Sequence, residues 1–109
     1  MLKRKNRLTK IEKNKNDRIF SSPLLNIRVS DSGERNSRFG FVVSKKISQS
    51  AVVRNRTKRV LRDAVREILG NLSGGKNIIV YPKKELFPEQ KKDVYLVFEE
   101  LFREAGVLK

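Results

Sequence analysis

The nineteen residues AVVRNRTKRVLRDAVREIL (51–69) carry two patterns at once. Val53, Val60, Leu61, Ala64, Val65, Ile68 and Leu69, continued by Leu72, recur at helical spacing and make one apolar stripe. Ser50 can cap the start of that helix. Over the same residues Arg54, Arg56, Lys58, Arg59 and Arg62 place five cations within nine positions, with Asn55 among them. A helix of this kind buries one face and exposes the other, so the rest of the chain must supply something to bury it against.

Short alternating segments supply it. Pro23 opens LLNIRVS (24–30), in which Leu25, Ile27 and Val29 alternate with Leu24, Asn26 and Arg28. DSGERNS (31–37) is a turn, and RFGFVVS (38–44) is a second strand with Phe39, Phe41 and Val43 on one side. Two strands joined by a short polar loop predict an antiparallel hairpin. After the central helix, SGGK (73–76) is a stop and NIIVYP (77–82) an apolar strand. Pro88 sits where a helix's first turn would begin, and Val94, Val97, Phe98, Leu101, Phe102 and Ala105 form a second helical stripe ending at Gly106. At the other end, MLKRKNR (1–7) reads as a flexible basic arm. Leu8–Phe20 reads as a short helix with Thr9 and Glu12 as a capping box. The expected order is α-β-β-α-β-α: an α/β (α+β) two-layer sandwich with helices on a small mixed sheet, in a single domain over residues 1–109.

The net charge is +14, and it is unevenly placed. Residues 1–18 hold eight Lys/Arg against two acids and residues 45–66 hold eight against one, while residues 76–109 are near balance. A generic solvated surface mixes its signs, whereas concentrated like charge suits a polyanionic partner. The chain contains neither Cys nor His, which excludes disulfides, thiolate or imidazole zinc sites, Ser–His triads and cysteine nucleophiles. No apolar run approaches the about 20 residues needed to cross a bilayer. The basic N-terminus has no apolar block behind it, so a soluble cytoplasmic protein is expected, without a secretory signal.

At about 100° per residue, Asn55, Arg59, Arg62 and Arg66 fall on one ridge of the helix, opposite Leu61 and Ile68. Lys58 lies beside the ridge, and Arg56 lies on the other flank near Asp63 and Glu67. Pairing at i,i+4 accounts for Arg59–Asp63 and little more. The cations gather in the N-terminal half, where the helix dipole disfavours them. Arg outnumbers Lys four to one over residues 54–62, and its planar fork matches phosphate. Asn55 can bond a phosphate, a ribose or a base edge. Lys45 and Lys46 widen the patch. The expected target is the backbone of a folded nucleic acid. A membrane surface is a poorer fit, because the sheet needs the helix's apolar face. The acids Glu99, Glu100 and Glu104 read as a solvated helix face rather than a catalytic set.

The segment FGFVVSKKISQSAVVRNRTKRVLRDAVR (39–66) resembles the bacterial ribonuclease P protein component. The resemblance rests on Ser44-Lys45-Lys46 at a strand end, followed by Val53-Arg54-Asn55-Arg56-Thr57-Lys58-Arg59 on a helix. It extends to KNRL (5–8), NIIVYPK after the long helix and a final LFREAGVL. It implies a ribosomal protein S5 domain 2-like fold with a left-handed crossover, against the usual preference. It also implies the small subunit of a ribonucleoprotein whose RNA does the catalysis, cleaving the 5′ leader from precursor tRNA with Mg2+. The chain alone would then carry no catalytic residue, no metal site and no cofactor. Its partners would be ribonuclease P RNA and precursor tRNA, not a membrane or a small-molecule substrate.

The RNA-binding residues the resemblance implies are Lys45, Lys46, Arg54, Asn55, Arg56, Lys58, Arg59 and Arg62. In the family the leader lies in a cleft between the sheet and the N-terminal helix. The matching positions are Val42 and Ser44 beside Gly40, with Asn26 and Arg28 on the first strand's polar face. The family's first helix usually carries two Phe residues; KIEKNKNDRIFSSP supplies only Phe20, which either stacks on an unpaired base or plugs the core. A structural RNA-binding protein of ribosomal type is the alternative reading.

Overall fold

The structure is a computed structural model describing residues 17–31, 33 and 35–108. The expected basic arm (1–7), the KNRL start and the Thr9–Glu12 capping box lie outside these residues.

Four strands, β1 (Arg18–Ser21), β2 (Leu25–Asp31), β3 (Arg38–Phe41) and β4 (Lys76–Pro82), and two helices, α1 (Ala51–Ile68) and α2 (Lys91–Ala105), make up the fold. One 3-10 turn, Leu69–Asn71, follows α1, and another, Pro88–Gln90, leads into α2. This is the expected two-layer α+β sandwich on a mixed sheet, with two corrections.

The first concerns residues 18–20, expected at the end of a helix. They belong to β1, which pairs antiparallel with β2 in the register Arg18↔Val29 and Phe20↔Ile27. The turn between them carries Pro23 at its second position. Ser22 closes it: its N–H donates to Leu25 O (3.0 Å), its hydroxyl donates to the same oxygen (2.8 Å), and Leu25 N–H donates to Ser22 Oγ (3.1 Å).

The second concerns the hairpin expected between residues 24–30 and 38–44. Those strands do not pair; the sheet order is β1-β2-β4-β3. β4 lies between them, antiparallel to β2 and parallel to β3. Burial decides this placement. Ile78 and Val80 are sealed on the helix side of the sheet, and Ile79, facing the other way, is only 4% exposed. A strand buried on both faces belongs in the middle. The parallel β3–β4 pair then requires a crossover, and α1 is that crossover.

The helix side of the sheet presents Leu25, Ile27 and Val29 from β2, Phe39 from β3, and Ile78 and Val80 from β4. Against them pack Val60, Leu61, Ala64, Val65 and Ile68 of α1 and Val94, Phe98, Leu101, Phe102 and Ala105 of α2. The stripe read from the sequence is the buried face from Val60 to Ile68, while its Val53 and Leu69 are half-buried; one residue is added, since Thr57 is fully buried. Its Oγ1 accepts a hydrogen bond from Leu86 N–H (3.2 Å), which satisfies both groups away from water. Gly106 ends α2 at φ 74°, the left-handed conformation that favours glycine, and its N–H returns to the last-turn carbonyls.

Gly74 is required for space. A Cβ there would lie 2.2 Å from the Arg35 carbonyl oxygen, a backbone atom that cannot step aside alone. Gly74→Ala is expected to cost about 1–3 kcal/mol, read as a lower urea midpoint. Among the described residues no helix is long and apolar enough to cross a membrane.

Candidate nucleic-acid interface

Ser50 caps the start of α1: its Oγ accepts from Val53 N–H (3.3 Å). No acid stands in its first turn, so the positive end of the helix dipole is left without a carboxylate. Arg54 turns back on this start: its Nη1 donates to the carbonyls of Ser48 and Gln49, both at 3.0 Å. It braces the loop from Lys45 into the helix and so fixes where Lys45 and Lys46 stand.

Asn55 and Arg59 are exposed on the outer ridge, with Arg66 two turns beyond Arg59. Lys58 and Arg62 are half-buried beside them, and the Arg62 guanidinium lies 5.8 Å from the Phe41 ring centroid. Among the described residues no carboxylate pairs with Lys45, Lys46, Lys58, Arg59 or Arg62. The i,i+4 pair expected between Arg59 and Asp63 does not form; the two line one cavity without an ion pair between them. Here the sequence pattern understated how much of the ridge is left without a counter-charge.

Arg56 is placed differently from its neighbours. Its Nε donates to Leu86 O (3.4 Å), its Nη2 lies 3.8 Å from Glu85 Oε2, and its guanidinium stacks 4.2 Å from the Phe87 ring centroid. It fastens the loop between β4 and α2 to α1. Arg56→Ala is therefore expected to lower stability by about 1–2 kcal/mol, because the cation–π and hydrogen-bond interactions go with the guanidinium. A melting-temperature drop of about 5 °C or more is the result to look for. An unchanged melting temperature would show that these interactions carry nothing.

The sheet's other face holds the remaining predicted positions. Pairing sets Asn26 opposite Tyr81, and both Arg28 and Gly40 opposite Ile79. The Arg28 guanidinium lies 5.5 Å from the Tyr81 ring centroid, and its Nε is 3.3 Å from Asp17 Oδ2, with both side chains 11% exposed. Val42 lies just past β3, its N–H still donating to Val80 O (2.9 Å), and Ser44 is exposed beyond it. Asn26 Oδ1 and Asn77 Oδ1 are buried on this face, with no hydrogen-bond partner among the described residues. Phe20 is not part of it. Its pairing with Ile27 turns it to the helix side, where it packs against the core with the Arg18 guanidinium 5.7 Å from its ring. The cleft position assigned to Phe20 is corrected accordingly: alternation along a strand sends it inward.

Sequence reasoning passed over Tyr81 and Phe87. Tyr81 was readable, since it alternates with Ile78 and Val80 and so faces away from the core. Among the described residues no group of three or more Asp or Glu side chains could hold a metal ion. Asp31 lies outside the site; the hydrogen bond and charge of Lys76 hold its carboxyl below the usual carboxylate range.

The fold and this surface define a small α+β module that presents a cationic helix ridge whose Lys58, Arg59 and Arg62 have no carboxylate partner among the described residues. A family model described as Ribonuclease P matches residues 2–106, and the chain belongs to that family. It is 42% identical over 91 residues to the ribonuclease P protein component of Xanthomonas campestris pv. campestris (strain B100), a match covering 84% of this chain and 60% of the relative. A second relative of that name, from Microcystis aeruginosa, is 54% identical over 39 residues, covering 36% of this chain and 32% of its own. The chain thus spans about 60% of the length of the first of these relatives. The fold is similar to that of the RNase P protein of Staphylococcus aureus (TM-score 0.69, 22% identity, 91% of this chain and 96% of that one). It is also similar to that of the RNase P protein from Thermotoga maritima (TM-score 0.62, 23% identity, 84% and 82%).

Proposed function

We propose that this chain is the protein subunit of a ribonuclease P ribonucleoprotein, working in the cytoplasm on precursor tRNA. It binds the catalytic RNA through the ridge of α1, and the RNA carries out cleavage of the 5′ leader. The observation that carries this reading is the set of cations at Lys45, Lys46, Lys58, Arg59 and Arg62, which have no carboxylate partner among the described residues. Charge crowded this way is unfavourable in the free protein and is relieved by phosphates. Arg54 and Arg56 serve the same interface indirectly, by holding the loops on either side of it.

The second sheet face is the place for the single-stranded leader. Tyr81 offers a ring on which a base can stack, held by Arg28. Val42 and Ser44 border this face at the end of β3. Any Mg2+ the reaction needs is held by the RNA.

The test uses precursor and mature tRNA with the reconstituted ribonucleoprotein. Precursor carrying the leader is expected to bind more tightly than mature tRNA, and Tyr81→Ala to narrow that difference. Equal affinity for both would remove the leader from this reading.

A further inference from the structure

We propose that Phe87 and the cavity beside it form a binding site for one unpaired nucleobase of the partner RNA; this rests on the RNA-binding reading above. Phe87 is 42% exposed, unlike Phe39, Phe98 and Phe102, which are sealed in the core. Its position is rigid. Its N–H donates to Gln90 Oε1 (2.9 Å), and the preceding Leu86 is fully buried and tied to Thr57 Oγ1. The Arg56 guanidinium lies 4.2 Å from the ring centroid and fixes its plane. An aromatic ring mounted this firmly at the surface, with a guanidinium stacked on it, is a platform for a flat ligand.

The adjoining cavity, about 260 Å³, is lined by Arg56, Arg59, Val60, Asp63, Pro88 and Lys91. It is smaller than the usual drug-sized pocket of about 300–1,000 Å³, which suits a single ring system. Its charges select a base over a phosphate. Arg56 faces Glu85 at 3.8 Å, Lys91 faces Glu67 at 2.9 Å, and Asp63 itself lines the wall. A phosphate would gain little among matched charges. A neutral base in the cavity stacks on the Arg56 guanidinium that Phe87 backs, and gains the apolar walls of Val60 and Pro88 and Asp63 as an acceptor for its N–H groups. Arg59 belongs both to the cavity and to the ridge of α1, so an RNA strand following the ridge passes the cavity's mouth. Lys83 and Lys84, exposed on the same loop as Phe87, meet the flanking phosphates.

The chain contains no tryptophan, so Phe87→Trp introduces a single reporter at the site. With full-length ribonuclease P RNA as probe, its emission is expected to be quenched on binding. Phe87→Leu keeps an apolar side chain but no stacking ring, and is expected to bind about tenfold more weakly. Its salt dependence should be unchanged, because no charge is removed. If the original chain binds the RNA while Phe87→Trp emission stays constant and Phe87→Leu binds equally well, the base site is overturned and the functional reading stands. If the original chain does not bind the RNA, the functional reading fails and the base site with it.

Discussion

Replacing Arg59 and Arg62 together with Ala is expected to weaken binding to ribonuclease P RNA about a hundredfold at low salt. Each guanidinium can form a charge-assisted hydrogen bond with phosphate of about 1.5–3 kcal/mol, and about 1.4 kcal/mol is a factor of ten. The plot of log affinity against log salt should also flatten by about one to two, since each phosphate a cation neutralises sets free roughly 0.7–0.9 counterions. Folding should hardly notice. Arg59 is exposed and makes no ion pair among the described residues, and the one ring contact of Arg62 is long, at 5.8 Å. Surface changes of this kind stay within about 0.5 kcal/mol, so the melting temperature should move by only a few degrees. A weakened complex with an unchanged salt slope would place the phosphates elsewhere on the molecule.

Phe102→Ala is expected to be the most damaging single change to stability. Phe102 is fully buried on α2; its ring stacks on Phe98 (5.3 Å, 12° between planes) and tilts against Phe39 of β3 (6.2 Å, 57°). It joins the second helix to the edge strand whose continuation leads into α1. Truncating such a residue removes its transfer free energy and leaves a cavity, at a cost of about 3–5 kcal/mol. Domains of this size hold about 5–15 kcal/mol in total, so a large part of the stability goes. The check is urea denaturation: the midpoint should fall sharply with the slope unchanged. A loss below about 1 kcal/mol would mean that the three rings do not form the centre of the core.

The central helix was legible in the sequence because its stripe spans five turns and its cap and stop residues agree with it. Thr57 escaped because a hydroxyl reads as a surface group until its partner, Leu86 N–H, is known. β1 escaped because RIFS is four residues long, its most apolar member Ile19 is exposed, and only pairing with β2 orders it. The expected hairpin failed for a physical reason: neighbours in sequence pair by default, but Ile78, Ile79 and Val80 need cover on both faces, and this draws β4 between β2 and β3. Within the candidate site, type and spacing located the ridge well. They could not tell that Arg54 and Arg56 turn inward, because their partners are the carbonyls of Ser48, Gln49 and Leu86. Phe20 was ambiguous for the same reason, since its face depends on which strand it joins.

The central claim is that this chain assists an RNA that does the cleaving, and reconstitution tests it most directly. Ribonuclease P RNA and labelled precursor tRNA are incubated at low magnesium with and without the purified chain, and release of the 5′ leader is followed. The account predicts little cleavage by either component alone and strong stimulation by both together. Unchanged cleavage on adding the chain, or leader release by the chain without RNA, would contradict it.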